Sequence, residues 1–121
     1  MTASGRAAVD IEPCGDKLCG AIAWLKAPLN EQGKPKTDIH NSDQSLQARP
    51  LCGLKLLWDF VPDGDGAWTD GHIYDPEHGD TYSSNMHLLA DGTLQVRGYI
   101  GFSLLGKTQV WTRPSGQLAH C

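Results

Sequence analysis

The 121-residue sequence lacks several features that would assign it to a broad functional class at once. No apolar run approaches the ~20 residues that a membrane-spanning helix requires. Lysine and arginine never occur three in a row and the net charge is −4, which argues against a nucleic-acid partner. The sequence contains neither a Gly-rich phosphate loop nor a G-x-S-x-G motif, so no common nucleotide-binding or hydrolase motif points to an enzyme. These absences leave one small acidic domain, residues 1–121.

Glycine and short alternating segments are what the sequence has instead. Fourteen glycines accompany seven prolines. Apolar and polar residues alternate over about seven segments, with little helical periodicity. Turn signals such as Pro-Asp-Gly-Asp-Gly at residues 62–66 separate the segments. The pattern predicts an all-β fold, an antiparallel meander that closes into a small β-barrel of seven to eight strands. A two-sheet sandwich is the alternative.

The Asp91-Gly92 dipeptide predicts the register of one hairpin. This dipeptide is typical of two-residue turns, which would place Met86 opposite Arg97 and Ser84 opposite Tyr99. That register mixes polar with apolar side chains on both faces of the hairpin. It therefore predicts a small barrel with a partly polar interior.

One segment does not follow the strand pattern. Residues 27–50 are polar, contain three prolines and are too long for a hairpin loop. We interpret the segment as a flap at the barrel mouth. Asn41 or Asp43 is placed to cap a short helical turn at residues 45–47, which would end before Pro50.

Four cysteines allow three full pairings in an oxidising compartment. Cys14 and Cys19 bracket a predicted turn at residues 15–18, so a disulfide across a hairpin is the first interpretation. Reduced buried thiols are the second, and a metal site is the third, because no C-x₂-C or H-x₃-H pair accompanies them. The five histidines are scattered without ligand spacing. We therefore predict no metal and no cofactor, and the pairing of Cys52 and Cys121 stays open.

Several motifs follow one another along most of the chain. They are Cys14-Gly15-x-x-Leu18-Cys19-Gly20, Arg49-Pro50-Leu51-x-Gly53-Leu54, Trp68-x-x-Gly71-x-Ile73-Tyr74-Asp75-Pro76, Gly79-x-Thr81-Tyr82-Ser83, Leu94-x-Val96-Arg97-Gly98-Tyr99-Ile100-Gly101 and Leu105-Gly106-x-Thr108-Gln109-x-Trp111-Thr112-Arg113. Over residues 9–113 the chain resembles the bacterial family named domain of unknown function 2147. The resemblance implies a lipocalin-like antiparallel β-barrel of the cell envelope, periplasmic or secreted, with no established reaction.

Members of that family usually carry a signal peptide and a Gly-x-Trp segment ahead of the first strand. Neither pattern is seen before Val9, where Met1 is followed by Thr-Ala-Ser-Gly at residues 2–5. The expectation of a periplasmic or secreted location therefore depends on the resemblance. The same holds for an eighth strand.

Aromatic residues and one guanidinium predict a ligand site inside the barrel. Tyrosine hydroxyls and an arginine can hold the carboxylate of a small amphiphile, while aromatic rings pack its apolar part. The candidate residues are Tyr74, Tyr82, Arg97, Tyr99 and Trp111. We predict a non-enzymatic protein that binds a small apolar or amphiphilic molecule. The alternatives are a structural or protein-interaction module with a filled barrel and, third, a hydrolase that uses a triple such as Ser103, His72 and Asp75.

Overall fold

The alternating segments form antiparallel strands in the computed structural model, which describes residues 1–2, 5–99 and 107–113. The strands of this described part are β1 (Ala7–Cys14), β2 (Lys17–Leu25), β3 (Lys55–Pro62), β4 (Ala67–Asp75), β5 (Asp80–Leu88), β6 (Leu94–Tyr99) and β7 (Lys107–Trp111). Each strand pairs with the next along the chain, so the seven form one curled sheet. The predicted all-β meander is confirmed, and the two-sheet sandwich is wrong for the described residues.

The two edges of the curled sheet approach each other at Met1. Its carbonyl oxygen accepts a hydrogen bond from the Thr112 N–H (3.0 Å), and its ammonium group donates to the Thr112 carbonyl. Thr2 in turn donates its N–H to the Ala7 carbonyl (2.9 Å). These bonds connect the chain after β7 to the chain before β1. They satisfy backbone groups that a sheet edge would otherwise leave unpaired.

The inner face of the sheet carries the core. Cross-strand partners share a face, and three such pairs run along it: Leu57 with Ile73, Met86 with Val96, and Leu94 with Trp111. Leu57 and Phe60 are fully buried, and Met86 and Val96 nearly so. Each side chain of this size contributes about 1.5–3 kcal/mol when it is removed from water. The inner face of β3 to β7 therefore carries mainly apolar side chains, of which Ile73, Tyr82 and Leu94 are only half-buried.

Two aspartates with left-handed backbone bend neighbouring strands at the same level. Asp59 in β3 has φ 63° and Asp70 in β4 has φ 57°, a region that aspartate enters more readily than most residues. The register of β4 on β5 shifts beside Asp70. Because of the bend at Asp59, both Leu57 and Phe60 reach the core although they are three residues apart. Gly71 has no side chain to clash with the Phe60 ring, which occupies the place of a Cβ atom.

The turn between β5 and β6 differs from the predicted one. Leu89 donates its N–H to the Thr93 carbonyl (2.8 Å), so three residues form the loop instead of two. Gly92 occupies the third position with φ 86°, as is common in three-residue hairpin loops. The Asp91 carboxylate accepts hydrogen bonds from the Thr93 N–H (3.0 Å) and hydroxyl (2.6 Å), which stabilises this loop.

The longer loop shifts the hairpin register by one residue. Met86 pairs with Val96, Asn85 with Arg97, and Ser83 with Tyr99. The predicted pairs Met86–Arg97 and Ser84–Tyr99 are therefore wrong. A slip of one residue moves every side chain of the second strand to the opposite face. The inner face of this hairpin is mainly apolar, with Tyr82 and the buried Ser84 as its hydroxyl-bearing residues, and Ser84 donates its hydroxyl to the Arg97 carbonyl (2.8 Å).

The turn between β1 and β2 carries a disulfide. Cys14 and Cys19 are bonded, with Cα atoms 5.8 Å apart, a normal separation for a disulfide. Cys52 is disulfide-bonded as well, and Cys121 lies outside the described residues. The first interpretation of the Cys14–Cys19 spacing is confirmed. Reduced thiols are not found among the described cysteines.

Helix is almost absent from the described residues. A single 3₁₀ turn, Gln44–Leu46, begins after Asp43, whose side chain accepts the Ser45 N–H (3.0 Å). The predicted short helical turn and its cap are thus confirmed. No helix in the described part of the chain is long and apolar enough to cross a membrane.

Candidate functional site

The long connection between β2 and β3, residues 26–54, is a folded lid. Two isolated β-bridges hold it together: Leu29 with Pro35 and Thr37 with Pro50. At its base, Gly53 donates its N–H to the Ile22 carbonyl (2.8 Å), and Ile22 donates to the Leu54 carbonyl (2.9 Å). These contacts give the segment a defined conformation despite its polar, proline-containing sequence.

Asp38 is the centre of the lid and is fully buried. Its Oδ1 accepts a hydrogen bond from the Tyr74 hydroxyl (2.7 Å). Its Oδ2 accepts from Asn41 Nδ2 and from Arg49 Nε, both at 2.9 Å, and Arg49 Nη2 lies 2.9 Å away. A buried carboxylate is tolerated only when its oxygens are satisfied in this way. The cluster therefore fastens the lid to β4.

The lid lies against the outer face of the sheet, at the rim formed by β4 and the β4–β5 turn. Tyr74 pairs with Thr81, opposite in face to the neighbouring pair Ile73–Tyr82. The Arg49 guanidinium lies over the Tyr74 ring, 5.4 Å from its centroid. Because the lid covers it, Tyr74 is buried and joins the apolar cluster although it lies on the face opposite Ile73.

A second attachment is made at the β4–β5 turn. Gly79 has φ 76°, and a Cβ atom there would overlap the His40 carbonyl of the lid. Only glycine fits both the left-handed backbone and this close approach. Tyr74 and Gly79 thus hold the lid at two points of the same rim.

Hydrogen bonding sets the protonation of the buried pair. Burial by itself would raise the pKa of Asp38, but hydrogen bonds from Asn41, Tyr74 and Arg49 outweigh it and hold the pKa below its usual value. The pKa of Tyr74 is raised, first by burial and then by the hydrogen bond and charge of Asp38. At neutral pH the contact therefore joins a protonated phenol to an ionised carboxylate, one of the stronger kinds of hydrogen bond.

An open cleft of about 400 Å³ lies between the lid and the outer face of β3, β4 and β5. This volume is within the range of small-molecule sites. Its lining includes Leu46 and Arg49 from the lid and Lys55, Trp58, Tyr74 and Thr81 from the sheet. The lining contains no aspartate or glutamate. The cleft thus combines apolar rings with positive charge.

The five candidate ligand residues do not lie together. Tyr82 and Trp111 are on the inner face, where Tyr82 pairs with Ile73 and Trp111 with Leu94. Trp111 is buried in the core, and its indole N–H donates to Gln109 Oε1 (3.0 Å). These two side chains are therefore separated from the outer cleft by the sheet itself.

Arg97 and Tyr99 lie on the outer face but on β6, two strands from β4. The Arg97 guanidinium donates to the Thr108 hydroxyl (2.7 Å). Of the five candidates, Tyr74 alone lines the cleft. The predicted register placed Arg97 and Tyr99 on one face with Tyr82, whereas the observed register places them on the opposite face.

Sequence reasoning missed Arg49, Lys55 and Trp58. Arg49-Pro50 was identified only as part of a family motif. Lys55 and Trp58 were assigned to a strand and to no site. Their offset of three residues predicts opposite faces in a regular strand, so the spacing gave no sign that both line one cleft.

Three side chains of the β4–β5 turn also lie close together. The potential ligand atoms of Asp75, Glu77 and His78 are within 4.8 Å of one another. His78 Nδ1 bonds to Asp75 Oδ2 (2.7 Å), which raises the pKa of His78, and Glu77 pairs with Arg6 (2.8 Å). The three groups are therefore paired with one another or with Arg6.

The triple Ser103, His72 and Asp75 is not assembled by the described residues. His72 stacks on Trp58, with ring centroids 5.7 Å apart, and Asp75 bonds to His78. Ser103 lies outside the described residues.

Comparison with known proteins agrees with this architecture. Residues 1–113 match a family model described as an uncharacterized protein conserved in bacteria (DUF2147). Among solved structures, the chain is similar to protein HP1028 from the human pathogen Helicobacter pylori, which is described as belonging to the lipocalin family. The TM-score is 0.78 at 24% identity, over 90% of this chain and 73% of that chain. No curated protein is significantly similar in sequence. The expected lipocalin-like fold is confirmed.

Proposed function

The chain belongs to this uncharacterised bacterial family, DUF2147, and we propose that it binds a small amphiphilic molecule in the cleft between the lid and the sheet. The observation that carries the proposal is the composition of the cleft. Trp58, Tyr74 and Leu46 offer apolar surface beside the cations Arg49 and Lys55, and no acidic residue lines the cleft. The lipocalin-like fold is compatible with small-molecule binding, although a fold by itself does not assign a ligand.

The outer cleft offers more open space for a ligand than the inner face of the described strands. Phe60, Leu57 and Met86 fill the inner face and leave apolar side chains in mutual contact. We therefore place the ligand on Tyr74 and its neighbours in the cleft. Tyr82 is only half-buried on the inner face, so a ligand inside the barrel could contact it. Substitution of Tyr82 therefore tests binding at that position.

The proposed role is binding without catalysis. In the described part of the chain, no hydrogen bond joins a serine or threonine hydroxyl to a histidine, the pairing that activates the nucleophile of a Ser–His hydrolase. An envelope location, periplasmic or secreted, is part of the proposal and is supported by the disulfide Cys14–Cys19.

A neutral fluorescent amphiphile, N-phenyl-1-naphthylamine, tests the proposal. We expect saturable binding at one site per chain. Thr81→Trp should abolish it, because Thr81 is an exposed cleft residue and a tryptophan there would fill the space. Val110→Trp is the matched control, since Val110 is exposed on β7 outside the cleft. Saturable binding that survives Thr81→Trp and is lost in a Tyr82 variant would place the ligand inside the barrel and contradict the proposal.

A protein-interaction module is the second candidate function. Three large apolar side chains of the lid are exposed: Leu29 (52%), Ile39 (63%) and Leu46 (38%). Such residues can contact a partner, although single exposed apolar side chains are common. The absence of saturable binding to any amphiphile, in a correctly folded protein, would favour this candidate.

A further inference from the structure

The two cations of the cleft differ in how far their charge is compensated. Arg49 Nε and Nη2 both contact Asp38 Oδ2 at 2.9 Å, and the guanidinium lies over the Tyr74 ring. Its charge is therefore largely neutralised by a buried carboxylate. Lys55 is exposed at the start of β3, and no carboxylate of the described residues lies within 4.0 Å of its ammonium group. Lys55 thus supplies the uncompensated positive charge of the cleft.

Trp58 supplies the largest apolar surface of the same cleft. It pairs with His72 across β3 and β4, and the two rings stack with centroids 5.7 Å apart and an interplanar angle of 27°. This stacking holds the indole in one orientation before any ligand arrives, which lowers the entropy cost of binding. The indole is therefore a preformed surface for an apolar group.

The spacing of these residues defines the shape of a ligand. Lys55 and Trp58 both line the cleft although they are three residues apart in β3, because the pairing with β2 shifts register beside Lys55. Their Cα atoms are separated by at most roughly 10 Å along the strand. The Arg49–Asp38 pair closes the lid side of the cleft. An elongated molecule with a negative charge at one end and an apolar body matches this arrangement.

We propose that the cleft is selective for carboxylate-bearing amphiphiles, with Lys55 binding the carboxylate and Trp58 the apolar body. The inference rests on the proposed function, because it specifies the class of ligand for the same cleft. It differs from the site expected from the sequence, in which Arg97 was to hold the carboxylate.

Decanoate and decanol are a matched pair of probes for the test, since they share a chain and differ in charge. Their binding to the whole chain is measured by titration calorimetry at neutral pH. We expect decanoate to bind more tightly than decanol. Lys55→Met keeps the length of the side chain, removes its charge and should weaken decanoate binding roughly fivefold, the size of one exposed ion pair. Decanol binding should not change.

Lys17→Met is the control for net charge. Lys17 lies at the start of β2, where its ammonium group is 4.0 Å from Asp59, and it does not line the cleft. It should alter neither affinity. Lys55→Gln serves as a second variant if the methionine reduces folding, which thermal unfolding of each variant checks.

The outcomes separate the two proposals. If both probes bind equally and Lys55→Met changes neither, the selectivity for carboxylates is wrong and amphiphile binding stands. If Lys17→Met weakens decanoate as much as Lys55→Met does, the effect is one of net charge and the role of Lys55 is wrong. If neither probe gives saturable heat, the proposed function fails and the selectivity fails with it.

Discussion

Removing one hydroxyl from the buried Asp38 cluster should destabilise the protein measurably. Tyr74→Phe deletes the group that donates to Asp38 Oδ1 (2.7 Å) and keeps the ring under the Arg49 guanidinium. The carboxylate retains its contacts with Asn41 and Arg49 on the other oxygen. The variant therefore isolates one hydrogen bond and leaves the apolar packing in place.

The expected cost follows from the charge of the acceptor. A hydrogen bond to a charged group contributes about 1.5–3 kcal/mol, and Oδ1 of Asp38 is left buried without a donor. We expect the free energy of unfolding to fall by about 2 kcal/mol. For a chain of this length that corresponds to a decrease in Tm of roughly 6–10 °C. Urea unfolding followed by tryptophan fluorescence measures the free energy directly.

Tyr82→Phe is the matched control. The Tyr82 hydroxyl lies 3.5 Å from Asp80 Oδ2 at an exposed position, a weak hydrogen bond at most. Its removal should cost less than about 0.5 kcal/mol. Equal costs for Tyr74→Phe and Tyr82→Phe would refute the view that the Asp38 contact fastens the lid.

The pH dependence gives a second check on the same reasoning. The pKa of Asp38 is lower in the folded protein, mainly because its hydrogen bonds outweigh burial, so the folded state binds this proton less readily than the unfolded state. The stability from the carboxylate is present above the unfolded pKa of about 3.9 and is lost as pH falls through the lower folded value. The cost of Tyr74→Phe should therefore be smaller at pH 3 than at pH 7. A cost independent of pH would contradict an ionised acceptor.

Two further substitutions test other attachments. Gly79→Ala should lower the free energy of unfolding more than Gly64→Ala does. Both glycines have positive φ, but only at position 79 would a Cβ atom overlap the His40 carbonyl. Equal losses of stability in urea unfolding would argue against that lid contact. Replacing Cys14 and Cys19 together by serine should lower the free energy of unfolding by about 2 kcal/mol, the loop-closure value for so short a loop, and mass analysis of the non-reduced wild type should show them joined.

The β-strands and turns were largely predictable because their signals are local. Period-two alternation and turn residues are properties of a few neighbouring positions, and they located the strands that the structure contains. The Cys14–Cys19 bridge and the Asp43 cap are local in the same sense. The motif resemblance added the lipocalin-like architecture, which alternation alone could not have specified.

The hairpin register was not predictable from the Asp91-Gly92 dipeptide. A glycine with positive φ fits the end of a two-residue loop and the third position of a three-residue loop equally well. The choice between them changes the register by one residue, and that residue decides the face of Arg97 and Tyr99. Local turn chemistry therefore left open which candidate ligand residues could meet.

What the sequence by itself determined is the class of fold, the position of its turns and the presence of a long polar excursion after β2. What only the tertiary structure decided is that this excursion covers the outer face of the sheet and forms a cleft there. Asp38 and Tyr74 are 36 residues apart, and neither carries a local sign of the other. The physical reason is burial: a carboxylate can leave water only when donors from distant segments converge on it, and that convergence is a property of the folded chain.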